Sequence, residues 1–361
     1  MRRSRWLAPW KDSSEKRAIY HCVSRVVDRR FVFGDEEREH FRMFMRMQEN
    51  FSGCRVLSYC IMSNHFHILL EVPPAEGLAL DDEGLLKRLS TVYSEAFVAE
   101  VGKEIAVARA EENEAHVSEI YARFTYRMHN LSEFMKTLLQ RFTGWFNRTH
   151  ERTGTLWEQR YKSVIVESGD ASRTIAAYID LNPVRAGMVS DPADYRWSSY
   201  GEAVGGGNKG NGKKARIGLM RVCRSQVTES DALGADISAQ WKEVSRVYRR
   251  LMGLALGRKS GRAVVGEAAP GASMNTEEML ATKDNGTVLP DLGMAKMLRT
   301  RVRYFTDGAV IGSKSFVNEA FDAARERFSE KRKDGARKMR GIGKAAGGTL
   351  WSVRDLRVGV S

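Results

Sequence analysis

The order of strand-like and helix-like segments between residues 17 and 181 constrains the fold of this chain most. Alternating apolar residues predict strands over 17–26, 55–62, 65–72 and 161–167. Apolar residues at helical spacing predict a helix over 35–50, after the first strand, and another over 131–149, before the fourth strand. This βαββαβ order predicts an α+β, ferredoxin-like fold with a four-stranded antiparallel sheet and helices on one face.

Changes in composition divide the chain into segments. A Gly-rich stretch over 204–214 has the composition of a flexible linker. The predicted segments are an N-terminal arm over 1–14, a domain over 15–203 with a helical insertion at about 74–130, the linker over 204–214, and a basic, mainly helical extension over 215–361. Within the extension we expect a loop over 258–289 and a basic amphipathic helix over 314–333.

The net charge of +13 is unevenly distributed. Residues 1–200 hold 28 basic and 28 acidic side chains, so the whole excess lies in 201–361. Such an excess favours contact with nucleic-acid phosphates, and a solvated basic face is the alternative explanation. No apolar run approaches the roughly 18 residues of a membrane span, so we expect no membrane partner. The four cysteines form no C-x-x-C pair, and we expect reduced thiols in a cytoplasmic, nucleoid-associated protein.

Two histidines stand one residue apart on the predicted third strand. His65 and His67 share a face of that strand, because side chains at i and i+2 point the same way. Two imidazoles in this arrangement can converge on one divalent metal ion. The alternative is a pair of histidines with no ligand on a half-buried sheet. A structural zinc site is excluded, because no cysteine cluster accompanies the pair.

A second motif lies at the end of the predicted helix over 170–181. Tyr178 precedes Asn182 by four residues, the spacing that places two helical side chains on one face. A tyrosine hydroxyl can act as a covalent nucleophile towards a metal-polarised electrophile. The alternative is a core tyrosine followed by an Asn-Pro helix stop. Glu71 and Asp180 are candidates to help remove the phenol proton.

Four segments, taken together and in this order, resemble those of a known family. They are HFH at 65–67, GTLWEQRYKS at 154–163, YIDLNPVRAG at 178–187 and DYRWSSY at 194–200. The combination resembles the REP-associated tyrosine transposases, members of the HUH superfamily of single-stranded-DNA nucleases and relatives of the single-tyrosine insertion-sequence transposases. The resemblance covers about residues 14–200, apart from the insertion.

The resemblance implies a chemistry for the motifs. His65 and His67, completed by Asn182, would bind Mg²⁺ or Mn²⁺, and Tyr178 would attack DNA to form a 5′-phosphotyrosine and a free 3′-OH. The implied substrate is single-stranded DNA with a REP-like hairpin, and a monomer is favoured over a dimer. Basic residues near the motifs or in the arm are candidates for DNA contact, because cations track phosphates. These candidates are Arg160, Lys162, Arg185, Arg196, Arg3 and Arg5.

Two other functions compete with a strand-transferring nuclease. The first is a DNA-binding protein that has lost catalysis. The second is another HUH enzyme, a replication initiator or relaxase, which frequently carries a helicase domain. A helicase needs a GxxxxGK[ST] loop, and residues 207–214 approach this pattern, but Lys214 stands where the hydroxyl residue belongs.

Overall fold

The computed structural model describes residues 6–74, 80–207, 209–223, 237–256, 298, 304–328, 330–339 and 350–353. In these ranges the strands are β1 (Ala18–Arg25), β2 (Arg55–Ile61), β3 (His65–Val72), β4 (Lys162–Val166), β5 (Val310–Gly312), β6 (Arg337–Lys338) and β7 (Trp351–Val353). The helices are α1 (Asp35–Ser52), α2 (Asp82–Leu89), α3 (Glu95–Ala110), α4 (Glu114–Thr125), α5 (Leu131–Thr149), α6 (Asp170–Asp180), α7 (Asn182–Arg185), α8 (Ser199–Gly205), α9 (Gly210–Cys223), α10 (Ile237–Ala255), α11 (Tyr304–Asp307) and α12 (Lys314–Asp322).

The strands form one mixed sheet with the order β2-β3-β1-β4-β5-β7-β6. Strand β1 is central to the predicted part and pairs antiparallel with both β3 and β4. Strand β5 joins parallel to β4, and β7 and β6 continue the sheet. The predicted α+β class and the first four strands are confirmed. The described sheet is larger than predicted, because three short strands of the extension pair onto the edge that β4 would otherwise expose.

The two helices of the predicted βαββαβ order, α1 and α5, lie on one face of this sheet as expected, since Phe41 of α1 packs against Phe142 of α5 with ring centroids 5.2 Å apart. A further helix, α6, covers the opposite face. Phe66 of β3 packs against Phe41 of α1, with ring centroids 4.6 Å apart. Its neighbour His67 points the opposite way and packs against Tyr178 of α6, with ring centroids 5.5 Å apart. The alternation of side chains along β3 therefore places α1 and α6 on opposite faces.

The predicted linker over 204–214 is largely helical. Helix α8 ends at Gly205, and α9 begins at Gly210. A Cβ added to Gly218 of α9 would lie 2.6 Å from the Val56 carbonyl oxygen, so the backbone of this helix lies directly against β2. Within the Gly-rich stretch itself, a Cβ added to Gly206 would lie 2.8 Å from the Gly212 Cα, so these glycines allow close packing, and the residues that follow share the core of the preceding domain.

The insertion forms a small helical core of its own. Residues of α2, α3 and α4 bury their apolar sides together with Phe51 at the end of α1. Capping fixes the helix starts: Asp81, Ser94 and Asn113 each accept a hydrogen bond from a backbone N–H of the following turn. The predicted helical insertion is thus present, and none of the described helices has the length and apolar character needed to cross a bilayer.

The extension departs from its prediction in two places. Helix α12 ends at Asp322, well before residue 333, because the chain turns so that Phe328 packs on Phe321 with ring centroids 4.7 Å apart. The extension also supplies the short strands β5 to β7, which the prediction did not include, beside its helices. The predicted loop over 258–289 lies outside the described residues.

Candidate active site

Strand β3 and helix α6 bring the two predicted motifs into one cavity. His65, His67 and Tyr178 all line this cavity, which has a volume of about 390 Å³. Tyr178 is only 4% exposed, and its ring stands nearly perpendicular to that of His67. The two histidine rings are 5.1 Å apart between centroids. Residues that are far apart in sequence therefore line one cavity.

The orientation of His65 is fixed by the turn that precedes β3. The Asn64 side-chain amide donates to the Arg29 carbonyl oxygen at 2.9 Å, so the Asn64 carbonyl oxygen faces the His65 ring. His65 Nδ1 lies 2.7 Å from that oxygen and must donate its proton to it. The His65 Nε2 atom then carries a lone pair, as a metal ligand requires.

A third histidine, which the sequence reasoning missed, lies behind the pair. His21 of β1 is fully buried, and its Nε2 lies 3.0 Å from His67 Nδ1. Its other nitrogen, Nδ1, lies 2.8 Å from the carbonyl oxygen of Phe305 in α11. Burial lowers the pKa of His21 and of His65 to about 4, and the pKa of His67 well below its ordinary value. All three imidazoles are therefore neutral near pH 7.

The mouth of the cavity is strongly basic. Its lining includes four cationic side chains and one acidic side chain, Glu158. The cations are Arg25, Arg29, Arg160 and Lys162. Two of these, Arg160 and Lys162, were predicted from sequence as DNA contacts, and the structure brings them to the same cavity as Tyr178. Arg25 and Arg29 were not predicted, because the end of β1 and the turn after it reach the cavity only when the chain is folded.

The other predicted DNA contacts lie elsewhere. Arg185 is partly buried, its guanidinium lies 5.4 Å from the Tyr178 ring centroid, and it donates to the Leu298 carbonyl oxygen. Arg196 lies over Trp197 and 3.4 Å from a Glu39 carboxylate oxygen. Neither residue lines the cavity. Arg3 and Arg5 lie outside the described residues.

Asn182, the predicted third metal ligand, does not line the cavity. Its side-chain amide donates to the carbonyl oxygens of Tyr178 and Ile179, at 3.1 and 3.3 Å. These contacts stabilise the end of α6. Within the described ranges, no group of three or more His, Cys, Asp or Glu side chains is arranged to hold a metal ion. Of the three predicted metal ligands, His65 and His67 line the cavity and Asn182 does not.

The two carboxylates considered as helpers have other roles. Glu71 lies at the far end of β3, where Arg17, Arg55 and Arg221 surround it at 3.3, 2.8 and 3.7 Å. Asp180 is buried and accepts hydrogen bonds from the Tyr200 N–H and the Tyr248 hydroxyl, at 3.0 and 2.7 Å. Burial raises the pKa of Asp180 to about 7. Both carboxylates are engaged in holding elements of the fold together.

The part of the chain that carries the three histidines is similar to a known protein family. Residues 14–101 match the family described as "Transposase IS200 like". The chain resembles the IS200-like transposases. The matched residues include β1, α1, β2 and β3, and hence His21, His65 and His67, and they end before Tyr178. The resemblance to transposases predicted from the motifs is thereby confirmed.

A solved structure is also similar to this chain. It is described as "Structure of the REP associates tyrosine transposase bound to a REP hairpin". It is 11% identical, covers 58% of this chain and 88% of its own, and has a TM-score of 0.35. No curated protein sequence matches the chain.

Proposed function

We propose that this chain is a transposase-type DNA-processing enzyme that cuts and rejoins single-stranded DNA, with Tyr178 as the nucleophile. One observation carries the proposal: Tyr178, His65 and His67 line a single cavity whose mouth is formed by four cationic side chains. A buried phenol beside two neutral imidazoles has no structural need of such a charged opening. A DNA phosphate drawn in by these cations would reach the phenol.

The reaction is a transfer of a phosphoryl group between two oxygen atoms. The Tyr178 hydroxyl oxygen bonds to phosphorus, the bond from phosphorus to the 3′ oxygen breaks, and the 3′ oxygen leaves with a proton. The phenol proton is released, so the products are a 5′-phosphotyrosine and a free 3′-OH. Attack by another 3′-OH reverses these steps and joins strands. The cationic side chains at the mouth hold the phosphates in register.

A divalent metal ion fits the two histidines. Both side chains line the cavity, both are neutral near pH 7, and His65 presents an unprotonated Nε2. When bound, such an ion polarises the scissile phosphate as a Lewis acid. Imidazole nitrogen suits Mn²⁺ better than Mg²⁺, which prefers oxygen ligands, so we expect Mn²⁺ to support the reaction better.

The substrate class follows from the site and from the motif resemblance together. The phenol is nearly buried, so the attacked phosphate must leave the regular outline of a duplex to reach it. The sequence motifs resemble those of the REP-associated tyrosine transposases, and that resemblance implies a hairpin substrate. We therefore propose single-stranded DNA that carries a palindromic hairpin, with the cut in the unpaired flank.

Cleavage of a hairpin library tests this function. Single-stranded oligonucleotides with one hairpin and a randomised flanking tetranucleotide are incubated with the protein and Mn²⁺, then separated on a denaturing gel. The expected result is a covalent protein–DNA band that Tyr178→Phe and chelation of the metal each abolish. Binding of the library with no cleavage under any metal would contradict the nuclease and leave a DNA-binding protein without catalysis.

A further inference from the structure

The Phe305 carbonyl oxygen determines where the protons lie in the chain of hydrogen bonds behind His67. A carbonyl oxygen can only accept, so the His21 Nδ1 atom at 2.8 Å must carry a proton and donate it. A neutral imidazole has one N–H, and the two ring nitrogens of the fully buried His21 have a carbonyl oxygen and an imidazole nitrogen as partners, neither of which is an anion that would stabilise a second proton. The His21 Nε2 atom is therefore an acceptor.

The same reasoning fixes the tautomer of His67. Because His21 Nε2 accepts, the His67 Nδ1 atom at 3.0 Å must donate to it. The single proton of a neutral His67 is then on Nδ1, and Nε2 carries the lone pair. His65 reaches the same tautomer through a separate route, by donating from Nδ1 to Asn64. Two independent networks thus give both histidines the same free nitrogen.

The position of His21 argues against a role in packing alone. Leucine, valine or phenylalanine would fill a fully buried place in a sheet without a polar group to satisfy. His21 instead has both ring nitrogens hydrogen-bonded, one to the metal-ligand candidate and one to the extension. Its ring is also nearly parallel to that of His67, with centroids 5.2 Å apart and planes 20° apart, which is the geometry of an in-plane hydrogen bond between the two rings. These contacts fix the plane of the His67 ring as well as its tautomer.

We propose that His21 is a positioning residue that holds His67 with Nε2 free for a metal ion, and that the extension contributes the Phe305 carbonyl oxygen that sets this arrangement. The proposal rests on the metal-dependent function proposed above. It also assigns a part in the site to the C-terminal extension, which lies beyond the residues that match the transposase family. Phe305 serves the site twice, since its ring also packs against Tyr178 at 5.1 Å between centroids.

Two substitutions at residue 21 separate hydrogen bonding from packing. In His21→Gln, the amide N–H can donate to the Phe305 carbonyl and the amide oxygen can accept from His67, so both bonds are retained. His21→Leu keeps a buried side chain of similar size but removes both bonds. Outer-shell partners of metal ligands typically change affinity by about 10- to 100-fold. We expect His21→Leu to weaken Mn²⁺ binding by at least about tenfold, and His21→Gln to recover most of that loss.

The decisive readout is the tautomer of His67 in the metal-free protein, measured by ¹⁵N NMR of the imidazole nitrogens at neutral pH. We expect the proton on Nδ1 in the wild type and in His21→Gln, and a mixture of tautomers in His21→Leu. A wild-type His67 with its proton on Nε2 would overturn the proposal, with no variant needed. Mn²⁺ affinity is followed by electron paramagnetic resonance of the free ion.

The outcomes distinguish this inference from the proposed function. If the wild type binds no Mn²⁺ and forms no DNA adduct, the proposed function fails, and the His67 tautomer still decides the structural part of the inference. If the wild type binds Mn²⁺ and both residue-21 variants bind it equally well, the function stands and the role of His21 is overturned. Thermal unfolding of both variants establishes that each is folded before either comparison is made.

Discussion

The ring of Tyr178 stands edge-on to the ring of His67, with centroids 5.5 Å apart and planes at 82°. One residue lies on the helix after β4 and the other on β3, so the contact requires the whole sheet to be assembled. The contact joins the nucleophile candidate to the metal-ligand candidate in one cavity. Both rings are also almost fully buried, so packing sets their positions.

Removal of a histidine should affect metal binding far more than removal of Asn182. We expect His65→Ala to lower Mn²⁺ affinity by more than about tenfold, because one of two imidazole ligands is lost. Asn182→Ala should leave the affinity within a small factor of the wild type, because the Asn182 amide is bound to helix carbonyls. Titration with Mn²⁺ measures both. An equal loss in the two variants would mean that Asn182 turns towards the ion when it binds.

Charge at the cavity mouth should determine DNA affinity. Lys162 is exposed on β4 and lines the cavity, so Lys162→Gln should weaken single-stranded DNA binding and reduce the salt dependence by about one phosphate contact. Fluorescence anisotropy at several salt concentrations measures both quantities. Lys87→Gln on α2 is the matched control, since it removes the same charge from an exposed site that does not line the cavity. If the affinity of the two variants depended equally on salt concentration, DNA binding at the cavity mouth would be contradicted.

The close approach of α9 to β2 should make Gly218 intolerant of a side chain. An added Cβ would meet the Val56 and Leu57 carbonyl oxygens at 2.6 and 2.8 Å, so Gly218→Ala should lower the free energy of unfolding by about 1–3 kcal/mol. Urea denaturation followed by circular dichroism measures the change.

Gly253 on α10 provides the control for that substitution. A Cβ added to Gly253 would have no heavy atom within 4 Å, so Gly253→Ala should be neutral or stabilise by up to about 1 kcal/mol through helix propensity. A neutral effect of Gly218→Ala as well would contradict the close packing of α9 on β2.

Asp180 should make stability depend on pH in an unusual direction. Its pKa is about 7 in the folded protein and has the ordinary value of 3.8 in the unfolded chain. Between about pH 4 and pH 7 the folded state therefore holds a proton that the unfolded state has lost, so raising the pH through this window lowers the free energy of unfolding. Above about pH 7 this loss is complete.

The comparison variant for this effect is Asp180→Asn, which cannot ionise. The wild type should lose stability relative to the variant as the pH rises from 5 to 7, by at most about 1.4 kcal/mol per pH unit. Urea denaturation of both proteins across this range measures the difference. Parallel pH profiles would show that the Tyr200 and Tyr248 hydrogen bonds keep Asp180 ionised throughout.

The sequence predicts the first 200 residues well because their signals are local. Alternation and helical spacing locate β1 to β4, α1, α5 and α6 to within a few residues, and the two motifs lie on those elements. Strands β5 and β7 have only three residues each, which is too short for an alternating pattern to be recognised. They form because they pair with strands far away in the chain, and sequence periodicity contains no information about such pairing.

His21 was missed for a related reason. A lone histidine in a strand has no spacing motif, and its role depends on the antiparallel register of β1 and β3 and on a carbonyl oxygen from the extension. The Gly-rich segment over 204–214 suggested a flexible linker, but much of it is helical. Composition does not distinguish the two cases, because glycine permits close helix packing as well as flexibility.

Mapping the covalent adduct by mass spectrometry tests the central claim most directly. After reaction with a hairpin oligonucleotide and Mn²⁺, the protein is digested with a nuclease and then with trypsin, which releases the peptide over residues 174–185 with Tyr178 as its only tyrosine. The account predicts a nucleotide attached to that peptide at Tyr178, with none in Tyr178→Phe. An adduct on another peptide, or cleaved DNA with no protein adduct, would contradict it.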